Sequence, residues 1–201
     1  MLNDIVTNID SRMYKLKIIT STTRPGRKGP IIAKWIQDVA AAHSQWDIEL
    51  IDLAELNLPM MDEPNHPRFR NYQNEYTKRW SIKIDEADAF IFVAAEYNYS
   101  YTAPLKNALD YLMQEWANKP AGIVSYGGVS AGTRASNALR AVLTSVNVMP
   151  ITQAVAIPFF TQFINESNIF VPNEPTTKGA NIMLAELLKW ATALKPMRRE
   201  S

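Results

Sequence analysis

Ala89-Phe90-Ile91-Phe92-Val93-Ala94-Ala95 is the longest purely apolar run in the chain. At about seven residues it is far too short to span a bilayer, and its composition reads as a strand. Working outward, four more apolar, β-branched runs read the same way: Leu16–Thr20, Ile48–Asp52, Gly122–Tyr126 and Ile151–Ile157. The segments between them change period. Ile31, Ile32, Trp35, Ile36, Val39 and Ala40 fall on one face of a helix, and Leu105, Ala108, Leu109, Leu112, Met113 and Trp116 repeat that spacing. So do Ala135, Ala138, Leu139, Val142, Leu143 and Val146, then Leu184, Leu187, Leu188, Ala191 and Leu194. Phe69, Tyr72, Tyr76, Trp80 and Ile84 predict a further helix ahead of the central run. Alternating strands and helices predict a three-layer α/β fold. Its five-stranded parallel sheet would carry helices on both faces, and right-handed crossovers suit the strand order 2-1-3-4-5.

The chain is 201 residues long and 47% apolar, enough for one sizeable core, and it shows no repeat or linker. Residues 1–14 read as an N-terminal extension and 15–201 as one domain. The Pro-rich stretch Leu58–Pro67 reads as a long loop able to wall a site. Twenty-one Lys and Arg against 20 Asp and Glu give no general attraction to nucleic acid or an acidic membrane, so the expected partner is a small molecule. The absence of cysteine excludes disulfides, thiolate metal sites, thiol nucleophiles and Cys-ligated clusters. With Asp4 and Asp10 and no hydrophobic h-region, the first residues do not read as a signal peptide, and a cytoplasmic location is expected.

In such a sheet ligands bind beyond the carboxyl ends of the strands, where the order reverses. Three loops at those ends stand out. After the first strand come Ser21-Thr22-Thr23-Arg24-Pro25-Gly26-Arg27-Lys28-Gly29-Pro30. Hydroxyls, glycines and cations at a helix N-terminus suit a phosphate, although a capped, solvated basic turn accounts for the same residues. Cations there oppose the helix dipole, so stability alone gives little reason for three of them. After the third strand come Glu96-Tyr97-Asn98-Tyr99-Ser100-Tyr101-Thr102, able to frame a planar heterocycle or to form an ordinary turn. After the fourth come Ser125-Tyr126-Gly127-Gly128-Val129-Ser130-Ala131-Gly132, whose paired glycines let the backbone approach a ligand. This last stretch also matches the GxSxG nucleophile elbow. That hydrolase needs a histidine after the serine, and the only histidines, His43 and His66, both precede it.

Together the three loops resemble the NADPH-dependent FMN reductase family, which includes bacterial azoreductases, quinone reductases and chromate reductases; the resemblance covers roughly residues 15–160. Thr22-Thr23-Arg24-Pro25-Gly26-Arg27 resembles its phosphate loop. Glu96-Tyr97-Asn98 followed by Leu105-Lys106-Asn107-Ala108-Leu109-Asp110 resembles its central signature, and Ser125-Tyr126-Gly127-Gly128 its flavin loop. Ala95 stands where the family has proline, and the bulky Tyr99 where a small residue often follows. The resemblance implies a flavodoxin-like fold and an enzyme that passes hydride from NADPH or NADH through FMN to a quinone, azo compound or free flavin. An FMN-binding electron carrier or regulator without turnover is the alternative. It further implies that Thr22, Arg24, Arg27 and Gly29 surround the FMN phosphate. Glu96, Tyr97, Asn98 and Tyr99 would line one edge of the isoalloxazine. Ser125, Gly127 and Gly128 would line another, with the Gly127 and Gly128 backbone N–H groups as donors. No side chain need be catalytic and no metal is expected. A homodimer or homotetramer is expected, with Leu109, Leu112, Met113 and Trp116 as candidate contacts or as a core-facing stripe. Tyr99, Tyr101, Tyr126 and, from the long loop, Met60 or Met61 are candidates to stack the acceptor.

Overall fold

The structure is a computed structural model that describes residues 13–198. Residues 1–12 of the expected extension lie outside the described residues. Strands β1 (Tyr14–Thr20), β2 (Trp46–Asp52), β3 (Ala89–Ala95) and β4 (Lys119–Tyr126) pair in parallel. Two short strands, β5 (Val148–Pro150) and β6 (Val155–Ile157), both pair with β4. The order is β2-β1-β3-β4-β5, as the alternation of elements predicts.

Helices α1 (Gly29–Ala41) and α6 (Glu174–Leu194) cover one face of the sheet. The short α2 (Leu53–Leu56), with α3 (Glu75–Asp85), α4 (Ala103–Asp110) and α5 (Thr133–Ser145), covers the other. The unbroken apolarity of β3 follows from this layering. Phe90, Phe92 and Ala94 enter the core containing Trp80 and Trp116, while Ile91, Val93 and Ala95 enter the core containing Ile32, Ile36 and Leu184. A strand covered on both faces has no solvent side on which to place polar residues. No helix among the described residues is long and apolar enough to cross a membrane.

Three elements differ from the periodicity. The expected fifth strand is split. β4 advances three residues from Ala121 to Val124 while its partner advances five, from Pro150 to Val155, so two residues bulge out between β5 and β6. The stripe from Leu105 to Trp116 is not one helix, because α4 ends at Asp110. A 3₁₀ turn over Gln114–Trp116 folds back, and the Trp116 indole donates to the Leu109 carbonyl at 3.2 Å. Leu109, Leu112 and Trp116 are thereby buried in the core of the single chain, which removes them as contacts between copies. The stripe from Phe69 to Ile84 is also interrupted. A 3₁₀ turn over Pro67–Phe69 ends at Arg70 with φ 51°, and only residues from Glu75 onward are helical. Tyr72 still reaches the core from the intervening segment, its hydroxyl donating to Glu115 Oε1 at 2.7 Å.

Candidate flavin site at the carboxyl edge of the sheet

The loop between β1 and α1 is held from below. Arg27 Nη1 donates to both carboxylate oxygens of Asp52 at 2.8 and 2.7 Å and to the Thr22 carbonyl at 3.2 Å. Its charge is therefore neutralised inside the fold, and Arg27 anchors the loop to the end of β2. Arg24 is different. Its guanidinium is exposed and lies 5.8 Å from the Tyr97 ring centroid, a cation–π contact that leaves its donors available. Lys28 reaches Asn168 Oδ1 at 3.1 Å. Helix α1 starts without a side-chain cap and without an acidic residue in its first turn, so its dipole is unopposed at that end.

Beneath this loop lie four buried hydroxyls, on Thr20, Ser21, Thr22 and Tyr126, none with a hydrogen bond of normal geometry. Gly29 is the reason three of them can meet. A Cβ at that position would lie 2.4 Å from Thr22 Oγ1, 2.7 Å from Thr20 Oγ1 and 2.9 Å from the Tyr126 hydroxyl. Burial pushes the Tyr126 phenol up to about 12, so it stays protonated; the neighbouring Thr22 hydroxyl opposes that shift without a well-aligned bond.

The loop after β3 is a tight turn. Tyr97 and Ser100 exchange both backbone hydrogen bonds, at 2.8 and 3.0 Å, and Asn98 and Tyr99 take left-handed φ values of 48° and 71°. A tyrosine at positive φ is strained, and such strain persists only where the surroundings impose it. The Thr102 hydroxyl donates to the Ser21 carbonyl at 2.6 Å, fastening this loop to the end of β1. Glu96 fastens it to the third loop: its carboxylate accepts the Arg134 backbone N–H at 3.2 Å and Arg134 Nη1 at 2.8 Å. Burial alone would raise the Glu96 carboxyl, but hydrogen bonds from Ser130 and Arg134 hold it below the usual range. The third loop turns through Ala131 and Gly132, both left-handed. A Cβ on Gly132 would strike the Tyr126 backbone N at 2.6 Å, so only glycine fits there.

Between the three loops lies a cleft of about 430 Å³, within the size range of small-molecule sites. Of the residues singled out in the sequence, Thr22, Arg24, Arg27, Glu96, Tyr97, Asn98, Gly127 and Gly128 line it. Three other expected residues stand elsewhere. Gly29 is buried behind the cleft, and the Ser125 hydroxyl turns inward to the Ala131 carbonyl at 3.0 Å. Tyr99 points out, 71% exposed, with the Arg134 guanidinium 4.0 Å from its ring centroid. The Gly127 N–H donates to the Ile157 carbonyl at 3.3 Å, while that of Gly128 makes no bond within the described residues.

Among the candidate stacking residues, Tyr126 lines the cleft but Tyr101, Met60 and Met61 do not. The Asn107 amide pins the long loop onto α4, accepting from the Met61 N–H at 2.8 Å and donating to the Pro59 carbonyl at 2.6 Å. Met61 then packs on the core while Met60 stays exposed. Phe160, absent from the sequence expectation, closes one wall with its ring 4.9 Å from that of Tyr126. The signal for it was positional: it follows the last strand, on the same edge as the other loops. Neither His43 nor His66 lines the cleft, and no group of three His, Asp or Glu side chains among the described residues could hold a metal.

The described residues suit a flavin mononucleotide. The cleft combines buried unpaired hydroxyls on Thr22 and Tyr126, an exposed arginine and an uncapped helix end with aromatic walls and an open backbone N–H at Gly128. The model for the family of NADPH-dependent FMN reductases matches residues 14–162. An NAD(P)H-dependent FMN reductase of Schizosaccharomyces pombe is 40% identical over 147 residues, covering 72% of this chain and 74% of its own length. An NADPH azoreductase of a Bacillus species is 30% identical over 145 residues, covering 71% and 76%. Among solved structures, an NAD(P)H:(acceptor) oxidoreductase of Paracoccus denitrificans superposes with a TM-score of 0.72 at 20% identity. That superposition covers 90% of this chain and 98% of the other and attests the shared fold. With the fold, the loop geometry and the matched sequence in agreement, the chain belongs to the NADPH-dependent FMN reductase family.

Proposed function

We propose that the cleft holds FMN and that the protein passes reducing equivalents from NADPH or NADH to a small acceptor such as a quinone, an azo compound or free flavin. The observation that carries this reading is that Thr22 and Tyr126, whose buried hydroxyls have no partner, line the same cleft as Arg24 and Lys28, the residue at the uncapped end of α1. Buried polar groups without partners are costly, so a cleft lined by two such residues, with a third behind them, suits a polar ligand. Bound FMN would supply the chemistry, two-electron uptake from a nicotinamide and release to the acceptor.

The protein's own residues position and tune. Arg24 supplies charge-assisted hydrogen bonds to the phosphate, and Arg27, held by Asp52, fixes the loop's shape. Tyr97, Asn98 and Glu96 form one wall, with Glu96 engaged by Arg134 and so acting as a brace. Since the Gly127 N–H serves the fold, the Gly128 N–H is the backbone donor left to face a charged ring edge. One such bond contributes about 1.5–3 kcal/mol, roughly 30–60 mV for a two-electron couple. Assembly into a homodimer or homotetramer and a cytoplasmic site of action belong to the same reading.

The test is an absorbance spectrum of the purified protein with FMN, followed by NADPH and NADH oxidation with a panel of quinones and azo dyes. Repeated turnover supports the enzyme; a yellow protein that does not turn over is an electron carrier, and a colourless one that takes up no FMN ends the proposal. Arg24→Ala should weaken FMN binding by about tenfold or more with unchanged circular dichroism.

A further inference from the structure

We infer that Arg134, laid on the face of Tyr99, is a specificity residue that favours acceptors carrying an anionic substituent, such as a sulfonate or carboxylate, over neutral acceptors of the same ring system. This deepens the reading of the cleft as an FMN site and rests on it.

The turn that carries Tyr99 is strained. Asn98 and Tyr99 both take left-handed φ values, and the paired backbone of Tyr97 and Ser100 closes around them. Burial does not account for that strain, because the Tyr99 ring is largely exposed. What the ring meets is the Arg134 guanidinium, 4.0 Å from its centroid. A guanidinium held against an aromatic face has fewer orientations open to it and keeps its charge and donors. Tyr99 is thus a positioning residue for Arg134.

Arg134 lies in the first turn of α5, where a cation opposes the helix dipole, so helix stability gives no reason for it. Glu96, from the loop after β3, supplies the missing acid there. Its carboxylate accepts the Arg134 backbone N–H at 3.2 Å and Nη1 at 2.8 Å. The two charges are not equally placed. The Glu96 side chain is 8% exposed and faces inward, whereas that of Arg134 is 42% exposed. Nε and Nη2 of Arg134 make no bond within the described residues, and together they form the fork that grips an oxyanion bidentately. Glu96 lines the cleft beside Tyr97 and Asn98, which sets Arg134 at the rim of that wall. An acceptor entering there carries its ring substituents past this rim. Charge placed at a rim acts on partner choice more than on the reaction itself.

The experiment uses the FMN-loaded protein with a naphthoquinone sulfonate and the parent naphthoquinone as matched probes. Affinity for each is measured by calorimetry with no nicotinamide present, and kcat/KM for each is measured with NADPH. Arg134→Gln should lower the sulfonate-to-parent ratio of affinities about tenfold, and the ratio of kcat/KM with it. Added salt should erode the wild-type preference and leave that of the variant nearly flat. Tyr99→Ala should lower the ratio about two- to fivefold, and Tyr99→Phe, which keeps the ring, should restore it. Equal losses for both probes would reduce Arg134 to a brace for Glu96 and overturn the inference, as would an unchanged ratio. A change confined to the preference for NADPH over NADH would put the anion on the donor and overturn it too. A wild-type protein that takes up no FMN would instead overturn the reading of the cleft itself. Should Arg134→Gln fail to fold, the same ratio measured on Tyr99→Ala and Tyr99→Phe decides the matter.

Discussion

Gly29→Ala tests the buried hydroxyl cluster through stability alone. The added methyl would sit 2.4 Å from Thr22 Oγ1, 2.7 Å from Thr20 Oγ1 and 2.9 Å from the Tyr126 hydroxyl, all under the 3.0 Å that real Cβ atoms respect. Two of the three atoms belong to short threonine side chains close to the backbone, and the third to a ring packed on Phe160, so relief requires movement of packed groups. Overpacking of this kind costs about 1–3 kcal/mol. Replacing glycine also stiffens the unfolded chain and favours helix, which returns about 0.4–1 kcal/mol. The net expectation is a loss of about 1–2 kcal/mol, or roughly 2–8 °C in the thermal midpoint for a chain of this size. Urea unfolding and calorimetry of the flavin-free protein measure it. Gly128→Ala is the control, since a Cβ there meets nothing within 4 Å, and it should leave stability unchanged. Adding Thr22→Ala to Gly29→Ala should recover part of the loss, because the closest clash disappears. A Gly29→Ala protein as stable as Gly128→Ala would show that the hydroxyls are not wedged around that position, and the reasoning fails.

Asn107→Ala removes two of the hydrogen bonds that hold the Pro59–Met61 backbone, leaving that from the Tyr111 hydroxyl to the Pro59 carbonyl at 3.1 Å; the expected cost is about 1–3 kcal/mol, read as a lower urea midpoint, with faster proteolysis in the long loop. The Glu86 carboxylate is held down to about 2 by hydrogen bonds from Lys17 and Lys15. Its folded pKa lies below its ordinary value of 4.5, so its contribution is complete above pH 4.5 and is lost as pH falls toward 2. Urea midpoints across that window should therefore fall less steeply for Glu86→Gln than for the wild type, and parallel curves would contradict the assignment. Tyr99→Ala frees the Arg134 guanidinium from its aromatic partner at the rim of the cleft. The acceptor preference of turnover should shift while FMN affinity holds, and an unchanged profile across the acceptor panel would remove Tyr99 from substrate selection.

The residue pattern carried the architecture because periodicity records burial, and burial is a local property. The strand Ala89–Ala95 could be read to its exact ends since both of its faces are covered, and the order of the sheet followed from alternation and handedness. The loops that build the cleft could be located for the same reason, as each follows a strand. Which atom in a loop meets a ligand was not legible. Arg24 and Arg27 look alike in sequence, yet Asp52 neutralises one and leaves the other exposed. The Gly127 and Gly128 N–H groups look equivalent, yet Ile157 takes the first. Trp116 continues a helical stripe on paper, but its helix ends early and the indole turns back into the core. Tyr126 reads as one more aromatic until its hydroxyl is found beside Thr20 and Thr22, more than 100 residues away in the chain. A donor bonds to whichever acceptor packing brings within about 3 Å, and that acceptor usually lies on another element, so partner choice exists only once the layers are assembled.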